Sequence, residues 1–257
     1  MIVGVLALSL VYGAGWRRAR RPGEPHPPGY GRLALFVGAI LCVLAALISP
    51  IDALSADLMV IHMVQHILLL DFMPILLILS LTKGILRPVT RHVTKLESRA
   101  GFLAHPAFAI FAYVGMMWLW HAPPLYDAAL AHTNVHVLEH VCFSAAGFLY
   151  WWHLLSPIRS RMRLGGMGPV MYMVTTKGLV GILGVVLAFS QSPIYPWYEQ
   201  HAHYWGISAR VDQNLAGALM ALEQSIVMGI ALVWLFLQML TESEREQQRA
   251  ERYEVIT

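Results

Sequence analysis

Two histidine pairs carry the most distinctive chemistry in this sequence. The stretch HMVQH contains His62 and His66, and the stretch HVLEH contains His136 and His140. A separation of four residues places both imidazoles of a pair on the same face of an α-helix. Imidazole binds zinc, copper, iron and nickel. The two pairs together could therefore form one metal site or hold two ions.

Methionines and one further histidine accompany these pairs. Met59 and Met63 flank the first pair, Met117 lies four residues before His121, and Met220 lies in the last apolar run. Thioether sulfur selects the soft ion Cu(I). These residues predict a soft-metal site built from imidazole and thioether.

Three other charged residues lie inside apolar runs. Glu139 lies between the two histidines of HVLEH, where a carboxylate could orient a ligating imidazole. Asp71 and Lys177 are each expensive in an apolar solvent without a partner, so we expect them to form a buried ion pair.

The composition indicates which elements position these residues. The chain has 257 residues, of which 57% are hydrophobic and 13% charged, whereas a soluble domain carries about 25% charged residues. Apolar runs near 20 residues can cross a membrane as helices. The sequence therefore predicts an all-α polytopic membrane protein with seven transmembrane helices, at about 2–16, 33–54, 56–82, 102–121, 134–155, 168–190 and 212–240.

The basic residues predict the orientation of these helices. All 18 lysines and arginines except Arg210 and Lys177 fall in connections on one side of the predicted membrane or in the C-terminal tail. Because basic loops stay in the cytoplasm, we expect the N-terminus outside and the C-terminus inside. This distribution also explains the isoelectric point near 9.0 without a nucleic-acid partner. Residues 1–240 form one predicted transmembrane domain and residues 241–257 a charged cytoplasmic tail.

With this orientation, the histidine pairs fall in the outer half of the membrane. At a rise of 1.5 Å per residue, His62 lies about 10 Å and His66 about 16 Å below the outer end of the third span. The pair in the fifth span lies at a similar depth. Ionisable side chains at such depth face the bundle interior and mark functional sites. For any one histidine, an interhelical hydrogen bond is the plainer alternative.

Several of these segments together resemble the seven-helix CtaG family of cytochrome c oxidase assembly factors. They are HMVQHILLLDFMP, WLWHAPPLYDAALAHTNVHVLEHVCFSAAGFLYWWHLL and VDQNLAGALM. The resemblance implies a bacterial cell-membrane protein that handles copper while a haem–copper oxidase is assembled, with oxidase subunits as partners. It extends a functional role to His62, His66, His121, His136, His140, Asp212, Gln213 and Met220, of which Asp212 and Gln213 would support the ligands.

Three functions remain open at this stage. The first is a copper-binding assembly factor that is not an enzyme, with Cu(I) favoured because histidine and methionine occur without cysteine or carboxylate. The second is a cytochrome whose haem is held by one histidine from each of two helices. The third is a copper transporter, which needs ligands along the full membrane depth. Association into a homo-oligomer also stays open.

Overall fold

The computed structural model describes residues 2–158, 164–201 and 206–254. It is 83% helical, and the described residues contain no strand, which confirms the predicted all-α fold. The helices are α1 (Ile2–Ala19), α2 (Tyr30–Ile48), α3 (Pro50–Ser55), α4 (Met59–Ile67), α5 (Met73–Ser80), α6 (Lys83–Leu86), α7 (Thr90–Ala100), α8 (Pro106–Trp120), α9 (Pro123–Ala131), α10 (Thr133–Leu155), α11 (Gly168–Phe189), α12 (Pro196–His201) and α13 (Ala209–Glu254).

Three helical stretches in the described part of the chain are long and apolar enough to cross a membrane. They are Tyr30–Ile48, Met59–Ser80 and Gly168–Phe189. A fourth is added if Thr90–Ala104 and Pro106–Trp120, which meet at a bend of 63°, count as one span. Apolar helices of this length indicate a membrane protein. The number seven and the orientation of the termini stay predictions.

The third predicted span is a helix with an internal change of geometry. A π-helical segment, Leu68–Phe72, joins α4 to α5, and Pro74 lies in the first turn of α5. Proline cannot donate a backbone hydrogen bond, so the ladder must adjust in the preceding turn. Wider turns of this kind are frequent at functional sites. Here the segment carries Asp71, which is buried.

Helix α10 packs closely against the π-helical segment and α5, and also against α8 and α9. The approach depends on Gly147, because a Cβ atom at this position would overlap the carbonyl oxygen of Leu70. Helix α4 lacks an equally close backbone approach to α10. Long side chains therefore fill the space between α4 and α10, and this space contains both histidine pairs.

Helix α13 completes the wall around this space. Its first turns pack against α4, and it lies closely along α11 through Gly184 and Gly217. Small residues at such positions allow membrane helices to approach each other. The same helix continues from Ala209 to Glu254, so the predicted charged tail is helical as far as Glu254 and is an extension of the last predicted span.

Candidate metal centre

The position of the first histidine pair is fixed by a carboxylate from another helix. The N-terminus of α4 lacks a capping side chain of its own. Asp212 of α13 replaces it, accepting hydrogen bonds from the backbone N–H groups of Met59 (2.6 Å) and Val60 (3.0 Å). The first N–H groups of a helix need such an acceptor, and a negative charge there also complements the helix dipole. Asp212 thus positions α4 without touching the imidazoles themselves.

His62 and His66 are buried and point toward the same carboxylate on α10. The Nε2 atom of His62 lies 3.7 Å from Oε2 of Glu139, and the Nε2 atom of His66 lies 3.4 Å from Oε1. The third polar residue of HMVQH faces elsewhere, since the Gln65 amide donates to the Ala46 carbonyl (2.6 Å) and to Asp52 (2.9 Å). That contact holds α4 against α2 and α3.

The second pair approaches the first from α10. The ring centres of His62 and His136 lie 5.2 Å apart, and those of His66 and His140 lie 5.9 Å apart. Two groups have ligand atoms that all lie within 4.8 Å of one another. The first consists of His62, His66 and Glu139, and the second consists of His136, Glu139 and His140. The structure therefore brings together both sequence-predicted pairs.

The polar atoms of this cluster have unsatisfied bonding capacity. In the described part of the chain, no hydrogen-bond partner reaches either ring nitrogen of His62 or His66, Nε2 of His136 or His140, or either oxygen of Glu139. The contacts of 3.4 and 3.7 Å are close enough for attraction but do not have hydrogen-bond geometry. A tetrahedral ion with bonds of about 2.1 Å places its ligand atoms about 3.4 Å apart. The spacing and the free lone pairs thus fit a metal ion.

Glu139 lies closer to the candidate ligand atoms than the sequence suggested. We expected it to orient a ligating imidazole, but its carboxylate lies among the candidate ligand atoms themselves. The premise that the histidines and methionines meet without a carboxylate is therefore wrong. The reason is that Glu139 projects from α10 into the gap toward α4, which depends on the helix packing and not on the spacing within HVLEH.

His121 and the methionines border the cluster on one side. The Nε2 atom of His121 lies 3.5 Å from the sulfur of Met63, while its Nδ1 atom lies 2.7 Å from the Met117 carbonyl oxygen. The ring centres of His66 and His121 are 6.0 Å apart. Met59 is buried in the surrounding core. The imidazole and thioether donors are thus neighbours, as the predicted soft-metal site requires.

A small cavity adjoins His66. Its volume of about 10 Å³ is enough for about one water molecule. Its wall combines thioether, imidazole, carboxyl and amide groups from α4, α8, α13 and the π-helical segment. The lining residues are Met63, His66, Ile67, Leu70, Asp71, Met117, Met220, Glu223 and Gln224.

Three tyrosines cover the cluster at the ends of α4 and α8. Tyr126 of α9 lies with its ring centre 5.0 Å from that of His62, and its hydroxyl lies 3.3 Å from that of Tyr198. Tyr198 donates to the Ser55 carbonyl (2.9 Å) and Tyr195 to the His121 carbonyl (2.9 Å). Burial raises the pKa of Tyr126 and Tyr198 well above the usual value, so both stay neutral. His62, the imidazole beside Tyr126, is fully buried.

Gln213 holds the segment that carries two of these tyrosines. Its Oε1 atom accepts a hydrogen bond from the backbone N–H of Ile194 (2.6 Å), and its amide donates to the Ser192 carbonyl (3.4 Å). The segment after α11 is thereby tied to the first turn of α13. Gln213, like Asp212, supports the cluster by bonding to backbone groups, and neither residue is a candidate ligand.

The predicted ion pair between Asp71 and Lys177 is not formed. Asp71 instead accepts hydrogen bonds from the Tyr113 hydroxyl (2.8 and 2.9 Å) and the Trp151 indole (2.7 Å). The ammonium of Lys177 lies within 4 Å of no carboxylate in the ranges that the structure describes. Equal depth in two spans did not bring the two charged groups within ion-pair distance.

Asp71 belongs to a second polar cluster, which also contains Tyr113, Trp151, Glu223 and Gln224. Sequence reasoning pointed to Glu223 as a polar contact within the bundle and missed Tyr113, Trp151 and Gln224. Gln224 donates to the Tyr113 hydroxyl (3.4 Å), and the neighbouring Glu223 carboxylate is largely buried. The available signal was the dipeptide Glu223-Gln224 inside an apolar helix, since polar groups in a span normally face the bundle. Tyr113 and Trp151 gave no signal, because aromatic residues are common in apolar spans.

Comparison with known proteins gives one family and several distant relatives. The model of the family described as cytochrome c oxidase caa3 assembly factor (Caa3_CtaG) matches residues 10–242. An uncharacterized protein of Mycobacterium leprae is 22% identical over 269 residues, and one of Mycobacterium bovis is 24% identical over 264 residues. Each match covers 96% of this chain, and the chain spans about 40% of the length of these curated relatives. No solved structure matches the chain significantly.

Proposed function

The chain belongs to the cytochrome c oxidase caa3 assembly factor family, and we propose that it serves oxidase assembly by holding copper for transfer to an oxidase subunit. The cluster proposed to hold it consists of His62, His66, His136, His140 and Glu139. The observation that carries this proposal is the convergence of two histidine pairs on one buried carboxylate. Among the described residues, no hydrogen-bond partner reaches Nε2 of any of these four histidines.

Copper is the ion that suits all donors near the cluster. Imidazole binds it in both oxidation states, thioether selects Cu(I), and a carboxylate suits the harder Cu(II). Met63 beside His121 supplies the soft donor at the border of the cluster. Cu(I) remains our favoured ion, because a single positive charge costs less than two in an apolar interior.

The chain's own residues divide the work of holding such an ion. The imidazoles bind it, Glu139 offsets its charge, and Asp212 fixes the helix that presents two of the imidazoles. The tyrosine cover excludes water and must move aside for copper to leave. Family membership implies a non-catalytic role, in which the partner oxidase and not this protein performs the chemistry.

The topology belongs to the same proposal. We propose seven spans within residues 1–240, the N-terminus outside, the helical tail from residue 241 in the cytoplasm, and the copper cluster in the outer half of a bacterial plasma membrane. The distribution of basic residues supports this orientation. The proposed direction of transfer is toward an oxidase site reached from the outer face.

Substitution of one histidine from each pair tests the copper site. We expect His62→Ala and His136→Ala each to lower the copper retained by detergent-purified protein at least about twofold, and to lower oxidase activity in cells. His153→Ala is the matched control, because His153 lies on α10 roughly 20 Å beyond His140. Unchanged copper content in both variants, measured by elemental analysis, would contradict the assignment.

The haem alternative fits this arrangement poorly. A bis-imidazole haem needs two imidazoles on opposite faces of a macrocycle. The rings of His62 and His136 instead lie nearly parallel, at an interplanar angle of 27° and a separation of 5.2 Å. The imidazoles stack on each other and do not oppose their nitrogens across a slot. Absence of a Soret band in the purified protein is the expected result.

Transport remains a second candidate because of one observation. The cavity beside His66 also touches Asp71, Glu223 and Gln224, so polar groups continue from the copper cluster into the second polar cluster. A transporter needs such groups across the whole membrane. Copper flux into sealed vesicles that contain the purified protein would favour this function, and retention of copper without flux favours the assembly role.

A further inference from the structure

The two candidate ligand groups overlap at a single residue. One group takes both of its histidines from α4, and the other takes both from α10. Glu139 belongs to both groups, and its ligand oxygens lie within 4.8 Å of the nitrogens in each. From this overlap we infer that the centre holds two copper ions, with Glu139 as their shared ligand. The inference rests on the copper-holding function proposed above.

The carboxylate of Glu139 is placed as a bridging group. Its two oxygens face the two imidazoles of the α4 group, Oε1 toward His66 and Oε2 toward His62, and one carboxylate oxygen also lies within 4.8 Å of ring nitrogens of the α10 group, His136 and His140. Neither oxygen accepts a hydrogen bond from the residues that the structure describes, so lone pairs on both remain available. A carboxylate with two free and diverging oxygens can give one oxygen to each of two ions.

The number of donors also favours two ions. Four imidazoles and the two oxygens of Glu139 exceed the four positions of a tetrahedral ion. A single tetrahedral ion that binds Glu139 would leave at least one imidazole without a partner, and one that binds all four imidazoles would leave the buried carboxylate without one, which is costly. His121, with Met63 beside it, adds further donors at the border. Two ions that share Glu139 use the four imidazoles and both oxygens.

Charge restricts the oxidation state of such a pair. Glu139 is the carboxylate common to both groups, and it offsets one positive charge. Two Cu(I) ions would leave a net single positive charge in the cluster, whereas two Cu(II) ions would leave three. Uncompensated charge is costly in an apolar environment. The pair therefore consists of Cu(I) ions.

The number of ions is measured on the full chain, purified in detergent and loaded with Cu(I) without oxygen. We expect about two copper ions per chain in the unaltered protein. His62→Ala removes a ligand of the α4 group and His140→Ala a ligand of the α10 group, so each variant should hold about one ion. Glu139→Gln should hold fewer than one, and the control His153→Ala should still hold two. Cu K-edge X-ray absorption should detect copper–copper scattering in the unaltered protein and lose it in His140→Ala.

The outcomes separate this inference from the proposed function. One copper per chain, without copper–copper scattering and abolished by either histidine substitution, would overturn the two-ion inference while leaving copper binding intact. Failure of the unaltered protein to retain copper would overturn both. His62→Gln and His140→Gln, which keep a polar group of similar size, repeat the measurement if an alanine variant fails to fold. Retention of about one copper ion per chain in each glutamine variant would support the inference, as the same result in the alanine variants would.

Discussion

At the scale of single residues, Asp212 helps to position the proposed copper cluster, although it lies far from the histidine pairs in the sequence. It lies 153 positions from Met59 in the sequence, yet it accepts that residue's backbone N–H at 2.6 Å. Hydrogen bonds to a charged acceptor contribute about 1.5–3 kcal/mol. The start of α4, and with it the depth of His62, thus depends on one side chain of α13.

Substitution of Asp212 by asparagine should destabilise the protein by about 1–3 kcal/mol, because asparagine retains one acceptor oxygen and loses the charge. Thermal unfolding in detergent should show a fall of several degrees, at about 2–4 °C per kcal/mol for a chain of this size. The control is Asp57→Asn, since Asp57 is half-buried and its carboxylate accepts no hydrogen bond in the described ranges. Equal midpoints for both variants would exclude the capping role.

The residues near the cluster also show which contacts a sequence can predict. A spacing of four residues within HMVQH and HVLEH is a local property, and it correctly predicted that the two rings of each pair would be neighbours, with centres 4.2 Å apart in both cases. The partner of Asp71 depends instead on how three helices rotate against each other. For that reason depth alone suggested Lys177, whereas Tyr113 and Trp151 are the donors.

At the scale of elements, α10 packs closely against the π-helical segment but less closely against α4. The space between α10 and α4 contains the proposed copper cluster. The contact between Gly147 and the Leu70 carbonyl brings the two elements together below the histidines. Farther along, α10 and α4 are separated enough for imidazole and carboxylate side chains to fill the space between them. A glycine in the middle of a long apolar helix therefore determines the width of the cluster.

Replacing Gly147 by alanine should force α10 away from the π-helical segment, because the added Cβ would overlap a backbone oxygen that cannot rotate away. Overpacking of this kind costs about 1–3 kcal/mol, and copper retention should fall as the two histidine pairs separate. Both quantities can be measured on one preparation, by thermal unfolding and by elemental analysis.

Gly115→Ala is the matched control for this substitution. Gly115 lies within α8, and a Cβ atom there would meet nothing within 4 Å. Alanine is favoured over glycine inside a helix by up to about 1 kcal/mol, so this variant should be as stable as the unaltered protein or more so. A loss of stability in Gly115→Ala equal to that in Gly147→Ala would show that the steric explanation is wrong.

The bounds of two helices followed closely from apolar runs, whereas the predicted second span, 33–54, is divided at Ser49 into α2 and α3 because Pro50 begins a new helix. The predicted fifth and sixth spans, 134–155 and 168–190, differ from α10 and α11 by one residue at an end. Pro74 disturbs the third span, because it cannot donate a backbone hydrogen bond. The π-helical form of that disturbance could not be predicted, because it depends on the side chains and the backbone that pack against it. Trp151, four residues from the end of the predicted fifth span, is fully buried.

At the scale of the whole molecule, polar side chains affect how clearly hydropathy identifies a helix as a membrane span. Within the described ranges, hydropathy alone supports three spans, or four with the bent pair. A helix that carries polar side chains is less apolar and passes such a test less easily. Helix α10 has 23 residues, enough length for a span, but it includes three histidines and a glutamate. The residues of α10 that we propose to hold copper thus lower the hydropathy by which a membrane span is recognised.

The bend between α7 and α8 allows a direct test of the proposed orientation. Thr94 on α7 and Thr133 at the start of α10 are both exposed, and α8 lies between them in the chain. If α8 crosses the membrane as proposed, the two threonines lie on opposite sides, with Thr133 outside. We expect a membrane-impermeant thiol reagent on intact cells to label Thr133→Cys and not Thr94→Cys, in a background where Cys42 and Cys142 are replaced by serine. Both positions should react after the cells are opened.

Labelling of Thr94→Cys alone would invert the orientation and place the proposed copper cluster toward the cytoplasm. Equal labelling of both positions in intact cells would mean that α8 does not cross the membrane.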